Sequence, residues 1–183
     1  MEKILEINAL PEGQSVRKFL FKPEELELKL FGAEFNEPVL FELTCIRTGF
    51  EITCMGWVTT KVRLQCVRCL EMFEYELKEA VNFMARLSLG APEQVDLWDE
   101  DMVHVDRHKG VLNIAPRIHD AVLLGIPNYP LCSEDCKGLC PVCGANLNVT
   151  TCEHIDSLGQ NDKSPDPRWE KLAALLKKTN KSS

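Results

Sequence analysis

FEITCMGWVTTKVRLQCVRC, residues 50–69, alternates in character almost without interruption. Its even positions run Phe50, Ile52, Cys54, Gly56, Val58, Thr60, Val62, Leu64, Cys66. Between them stand Glu51, Thr53, Thr59, Lys61, Arg63 and Gln65, with Met55 and Trp57 as exceptions. A period of two sends successive side chains to opposite faces of a strand, so the pattern predicts strand structure buried on one side. The run from Phe50 to Cys66 is seventeen residues, long for one strand, and Gly56 is the natural place for a bulge or bend.

Working outward, Val39 to Arg47 forms a second strand that turns through Thr48 and Gly49. Downstream, Phe73, Tyr75, Leu77, Val81, Phe83, Ala85 and Leu87 alternate with polar partners and mark a third. Cys66-Val67-Arg68-Cys69-Leu70-Glu71 then falls at the tip of a hairpin, and residues 1–90 as a whole read as β-rich. Residues 91–109 carry six acidic side chains against Arg107 and Lys109 and read as a solvated loop or edge element. A helix follows, with Asn113 as a cap, Pro116 in its first turn, Ile118, Val122 and Ile126 as its apolar stripe and Pro127 as its stop. The stretch from Cys132 to His154 is cysteine-dense and, with Gly138, Gly144, Asn146 and Asn148, loop-rich. Residues 156–165 read as polar linker, and Asp166-Pro167-Arg168-Trp169 opens a last short helix with Trp169, Leu172, Leu175 and Leu176 on one face. There is no internal repeat.

The bulk properties bound the function. At 183 residues the chain holds one compact domain and a small appendage, and 45% hydrophobic with 27% charged content suits a packed core. No apolar run approaches the ~18 residues of a membrane span, and Ile114–Ile126 is interrupted by Pro116, Arg117, His119 and Asp120. The N-terminal MEKILEINALPEGQ lacks the regions of a signal peptide, which predicts a cytoplasmic protein in a reducing compartment. There, nine clustered cysteines point to metal or redox chemistry rather than disulfides.

By position the ligand-capable residues are Cys66-x2-Cys69, Cys132-x3-Cys136, Cys140-x2-Cys143 and Cys152-x-His154. The turn inside a C-x2-C pair points both sulfurs inward, and structural zinc combines two such pairs into a tetrahedron. Eight candidates in four pairs are what two closed zinc sites need, leaving no open catalytic position. One partition joins Cys66, Cys69, Cys132 and Cys136, and leaves Cys140, Cys143, Cys152 and His154 as a knuckle in the tail. The other gives Cys132, Cys136, Cys140 and Cys143 to one ion, with Cys66 and Cys69 joined by Cys152 and His154 or unligated. Cys45 and Cys54 read as small buried hydrophobes within strands, and His104, His108 and His119 as surface or core residues. The expected architecture is α+β: an antiparallel β-rich body over 1–131 with a helix near 114–126, a zinc-knuckle segment over 132–155, and a linker with a short C-terminal helix over 156–183, so a few helices in all.

Cys66-Val-Arg-Cys69-Leu70, the run LCSEDCKGLCPVCGANLN over residues 131–148, the segment from Gly110-Val-Leu-Asn113 to Ile126-Pro127, and Asp166-Pro-Arg-Trp169 together resemble the large ribosomal RNA subunit accumulation protein family, YceD. The resemblance covers most of the chain in order. It implies a bacterial or plastid protein needed for 23S ribosomal RNA to accumulate, hence for building the large ribosomal subunit. It also implies the first partition, because relatives without the long tail cluster keep the first C-x2-C and a second pair near Cys132 and Cys136. Two departures stand out: His154 replaces a cysteine common in relatives, which zinc tolerates, and Asn113 replaces a common aspartate.

Three functions compete at this level. The first is a non-enzymatic assembly or stability factor. Phosphate contacts need Lys and Arg, but residues 1–131 carry 14 of them against 21 Asp and Glu, and residues 132–183 carry 7 against 7. Two zinc sites would take the net charge from −7 to about −10. RNA contact would then be local, through Lys61, Arg63 and Arg68 at the hairpin tip and Lys137 in the knuckle, or the acidic body would hold a basic ribosomal protein. The second is an RNA-processing enzyme, but the adjacent Asp99, Glu100 and Asp101 read as solvated charge, and His119-Asp120 has no nucleophile motif beside it. The third is dithiol or iron chemistry, which a β-hairpin setting for Cys66 and Cys69 disfavours. Neither a small-molecule substrate nor a membrane partner is expected.

Overall fold

The computed structural model describes residues 4–89 and 102–154. The expected acidic stretch at 91–101, the linker and the C-terminal helix lie outside the described residues. The chain separates into two compact units, Met1–Cys136 and Lys137–Ser183.

The first unit is strand-rich. Its elements are β1 (Ile4–Glu6), β2 (Gly13–Phe21), a 3-10 turn (Pro23–Leu26), β3 (Ala33–Glu34), β4 (Val39–Thr48), β5 (Glu51–Gln65), β6 (Met72–Ser88), β7 (Met102–Asp106), β8 (Val111–Asn113) and helix α1 (Ala115–Leu124). A six-stranded sheet runs in the order β2-β4-β5-β6-β7, with β3 also paired to β5, and β1 pairs β8 in a separate ribbon. Neighbours in the run β2-β4-β5-β6 are antiparallel, whereas β7 lies parallel to β6 along the sheet edge. The predicted loop-or-edge stretch thus contributes an edge strand at Met102–Asp106.

The alternation in residues 50–69 is realised along β5, where Ile52, Cys54, Val58, Val62 and Leu64 are buried and the intervening positions face outward. No bulge occurs at Gly56: the β5–β6 ladder is continuous from Glu51↔Arg86 to Gln65↔Met72. The glycine answers a packing demand instead. A Cβ at position 56 would stand 2.6 Å from Phe41 Cε2 and 2.7 Å from the Glu42 carbonyl oxygen. Phe41 is itself fully buried, so its ring fills the space that a side chain on β5 would need.

One helix covers the inner face of the sheet. Asn113 Oδ1 accepts a hydrogen bond from the Ala115 N–H at 3.1 Å, and Pro116 sits in the first turn, where its missing N–H costs nothing. Ile118 and Val122 are fully buried and Ile126 nearly so. Each contributes on the order of 1.5–3 kcal/mol by leaving water. Leu5, Ile7 and Leu10 from the N-terminal segment join the same core. Cys45 and Cys54, directly opposite each other on β4 and β5, are fully buried in it, as small core residues.

The described part of the second unit, residues 137–154, is built largely from turns. Cys140 N–H donates to Ala145 O, Leu147 N–H to Gly138 O, and a single bridge pairs Leu139 with Asn146. The asparagines act as local staples: Asn148 Oδ1 accepts from the Lys137 N–H at 2.8 Å, and the Asn146 carbonyl from the Thr150 N–H at 3.0 Å.

Candidate metal centre

The β5–β6 connection is a tight knuckle. Cys66 N–H donates to Glu71 O and Leu70 N–H returns to Cys66 O, both at 2.9 Å. That turn aims the sulfurs of Cys66 and Cys69 to the same side. Facing them come Cys132 and Cys136 from the segment after α1, which the Val67 N–H ties to the knuckle through the Pro130 carbonyl at 3.0 Å. Cys66 Sγ lies 3.7 Å from Cys136 Sγ, and Cys69 Sγ 3.6 Å from Cys132 Sγ. The four sulfurs all fall within 4.8 Å of one another. A tetrahedral ion with metal–sulfur bonds of about 2.3 Å holds its sulfurs about 3.8 Å apart, whereas a disulfide needs about 2.05 Å. The spacing fits a metal ion and no disulfide.

The second unit repeats the device. Cys140 O accepts from the Gly144 N–H at 2.8 Å, the counterpart of the Leu70 bond, and Cys140, Cys143, Cys152 and His154 bring their ligand atoms within 4.8 Å. Cys152 Sγ stands 3.6 Å from Cys140 Sγ, 3.3 Å from Cys143 Sγ and 3.0 Å from His154 Nδ1. Each group therefore gathers one of the two quartets of the first partition. The quartets differ in access. In the first, Cys66, Cys69 and Cys136 are buried; in the second, only Cys140 is.

Backbone donors prepare each group for a cation. Burial pushes the Cys66 thiol up, but the backbone N–H groups of Cys69, Cys132 and Arg68 outweigh it and bring the pKa down to about 6. The Glu71 amide favours the Cys69 thiolate, yet burial and the neighbouring thiols leave that group at about 12. In the second quartet the amides of Cys143 and Val142 hold Cys140 at about 7, while Cys152 rises to about 11: the His154 amide lowers it, but hydrogen bonding from the Cys143 thiol and burial raise it further. Each cluster thus sets a thiol that ionises readily, Cys66 or Cys140, beside one that resists it, Cys69 or Cys152. A divalent cation removes that resistance by supplying the missing positive charge.

The knuckles share hydrogen bonding but differ at one residue. Gly144 adopts φ 72°, and Leu70 occupies the matching position at φ 61°. A left-handed conformation costs a residue bearing a Cβ roughly 1–2 kcal/mol, and glycine carries an unfolded-state penalty of roughly 0.5–1 kcal/mol. Leu70→Gly is therefore expected to raise stability by about 0.5–1 kcal/mol in urea unfolding. A loss of stability would show that the leucine side chain holds the knuckle together.

The four basic residues expected to touch RNA divide. Arg68 spans to the second ligand pair, its Nη1 donating to the Cys136 carbonyl at 2.9 Å, while the Val67 N–H donates to Pro130 O at 3.0 Å. Lys61 and Arg63 face outward from β5 but stand 3.4 Å from Glu76 and 2.9 Å from Glu34. Lys137 is exposed in the second unit. Sequence reasoning missed Arg68 as a clamp because nothing local to the hairpin shows which carbonyl it reaches. His119 lies 2.9 Å from Asp120 on α1, away from both quartets in sequence.

The family described as Large ribosomal RNA subunit accumulation protein YceD matches residues 55–176, a span that contains every member of both quartets. The chain belongs to the YceD family. Among relatives, an uncharacterized protein of Mycobacterium leprae is 29% identical over 150 residues, which is 81% of this chain and 64% of the relative. The chloroplastic YCED homolog 1 of Zea mays is 27% identical over 66% of this chain and 49% of its own length. The Arabidopsis thaliana counterpart is 28% identical over 63% of this chain and 43% of its own. The chain thus spans less than two thirds of the mycobacterial relative and less than half of the plant YceD homologues. No solved structure gives a significant match. Among the described residues no helix is long and apolar enough to cross a membrane.

Proposed function

We propose that this YceD-family chain is a non-enzymatic factor, clamped by two zinc ions, that large-subunit ribosomal RNA requires in order to accumulate. Zinc is the ion that suits donor sets of four thiolates, or three thiolates and an imidazole, at tetrahedral spacing. The observation that carries the structural role is the closure of both quartets. Each supplies four protein ligands, and a catalytic zinc keeps one position for water or substrate. The ribosomal role rests on the family and on the two plant relatives, whose names state large ribosomal RNA subunit accumulation.

Partner choice follows from charge. The net charge of −7 and the acidic neighbours of Lys61 and Arg63 favour a cationic protein over an RNA backbone. In this reading the effect on RNA is indirect, through a ribosomal protein.

Depletion of the protein is expected to lower 23S relative to 16S ribosomal RNA and to accumulate large-subunit precursors on sucrose gradients. Re-expression of His119→Ala should restore the ratio, and Cys66→Ser should not. An unchanged ratio after depletion would reject the ribosomal role. Failure of a folded, metal-loaded His119→Ala chain would instead favour an enzyme.

A further inference from the structure

The knuckle of the first quartet presents apolar side chains to solvent. Phe31 is 100% exposed, Leu70 54% and Val67 50%, and the three line one hollow of about 500 Å³ floored by Leu123 and Ile126. Scattered exposed apolar residues are ordinary, but several rimming one concavity mark a binding site. The backbone on both sides of the hollow is tied down, the knuckle by the β5–β6 ladder and the Val67–Pro130 hydrogen bond at 3.0 Å, and the Phe31 segment by Gln65 N–H donating to Gly32 O at 2.8 Å. Leu70 holds an exposed apolar group there at φ 61°, in the position that Gly144 fills without strain in the other knuckle. Leucine thus stands where backbone conformation alone favours glycine.

Charge selects the occupant. On its other side Phe31 borders a second hollow, of about 720 Å³, edged by Glu24 and Glu27. Residues 1–136 carry 14 Lys and Arg against 23 Asp and Glu, and a closed thiolate quartet with zinc adds two more negative charges. At the knuckle Arg68 donates to the Cys136 carbonyl and Arg63 faces Glu34, while on the Phe31 side Lys29 stands beside Glu24 and Glu27, one cation against two carboxylates. The net negative balance disfavours an RNA backbone here, whereas an apolar side chain flanked by Lys or Arg meets an apolar seat and a rim richer in carboxylates than in cations.

We propose that the hollow between Phe31 and the Cys66–Leu70 knuckle seats an aliphatic or aromatic side chain of a cationic protein segment. This rests on the functional reading above and specifies its partner. Phe31 is the anchor, Leu70 and Val67 are the opposite wall, and Glu24 and Glu27 draw the flanking positive charge.

The test places photoreactive p-benzoylphenylalanine at position 31 of the full chain and irradiates living cells. The expected product is a protease-sensitive adduct with a basic protein, its yield falling about tenfold or more when Leu70→Asn is added. Asparagine tolerates the left-handed backbone, so that variant should keep its zinc content and fold. In parallel, proteins salt-extracted from large ribosomal subunits serve as the probe. The intact chain should retain a basic member of that mixture, Phe31→Ser should lose it, and Val111→Ser, at an exposed site outside both hollows, should not. A nuclease-sensitive adduct, an adduct to a second copy or within the chain, or yields indifferent to Leu70→Asn would overturn the proposal. Rescue separates the two readings. Full restoration of 23S ribosomal RNA by Phe31→Ser rejects the docking surface alone, whereas no loss of that RNA on depletion rejects the ribosomal role.

Discussion

Cys66→Ser is expected to lower the zinc content from two ions per chain to one and to release the β5–β6 knuckle from the segment that follows α1. Binding of a structural zinc supplies on the order of 10 kcal/mol, and a three-ligand remnant forfeits several kcal/mol of it. Whole domains are stable by only about 5–15 kcal/mol, so the loss is large. Two hydrogen bonds, Val67 N–H to Pro130 O and Arg68 Nη1 to Cys136 O, would still join the segments. At about 1 kcal/mol each, somewhat more for the charged donor, they fall short of replacing the ion. Elemental analysis should read one zinc, and hydrogen exchange should quicken over residues 66–71 and 130–136 while β4 and the middle of β5 stay protected. The second quartet draws no ligand from Cys66 and should keep its metal. Retention of two ions with unchanged protection would refute the clamp.

Gly56→Ala is expected to cost about 3 kcal/mol, at the upper end of ordinary overpacking. The new Cβ would meet Phe41 at 2.6 Å and the Glu42 carbonyl oxygen at 2.7 Å, and the second contact is backbone fixed in the β4–β5 ladder. The ring has no free space to turn into, because Phe41 is fully buried. Gly49→Ala provides the contrast. Nothing lies within 4 Å of its added Cβ, and its φ of 62° carries only the left-handed cost of about 1 kcal/mol. Denaturant unfolding of the two variants side by side checks the assignment. Equal losses would mean that conformation, and not the approach of Phe41, explains Gly56.

Much of the architecture was legible because its signals are local. The period of two along β5 and β6 states which face is buried, and the pleat enforces it residue by residue. The helix at Ala115–Leu124 announced itself through Asn113, Pro116 and the Ile118, Val122 and Ile126 stripe. β2 escaped notice because most of its residues are exposed; only Phe21 is buried, with Phe19 stacked against Phe21 and Phe41, so no strong alternation shows. β7 escaped as a strand because it is short and parallel, and its pairing with β6 lies in no local pattern.

The same division runs through the metal centre. Spacing alone singled out the eight candidate ligands that the fold gathers into two groups, since a C-x2-C turn points two sulfurs one way wherever it occurs. Spacing left two ways of sharing them, and the fold chose between these. Cys66 and Cys136 are 70 residues apart yet 3.7 Å from sulfur to sulfur, because the β5–β6 hairpin and the exit from α1 deliver them to one place. Gly56 was visible as a glycine, but only the Phe41 ring packed against it shows that it answers a close approach and not a bulge. Arg68 was visible as a cation, but only the tertiary structure shows that it reaches the Cys136 carbonyl. Local geometry is written in neighbouring residues, where a pleat or a tight turn allows few conformations. Which distant surfaces meet depends on sheet register and helix packing, and these are decided by the whole core at once.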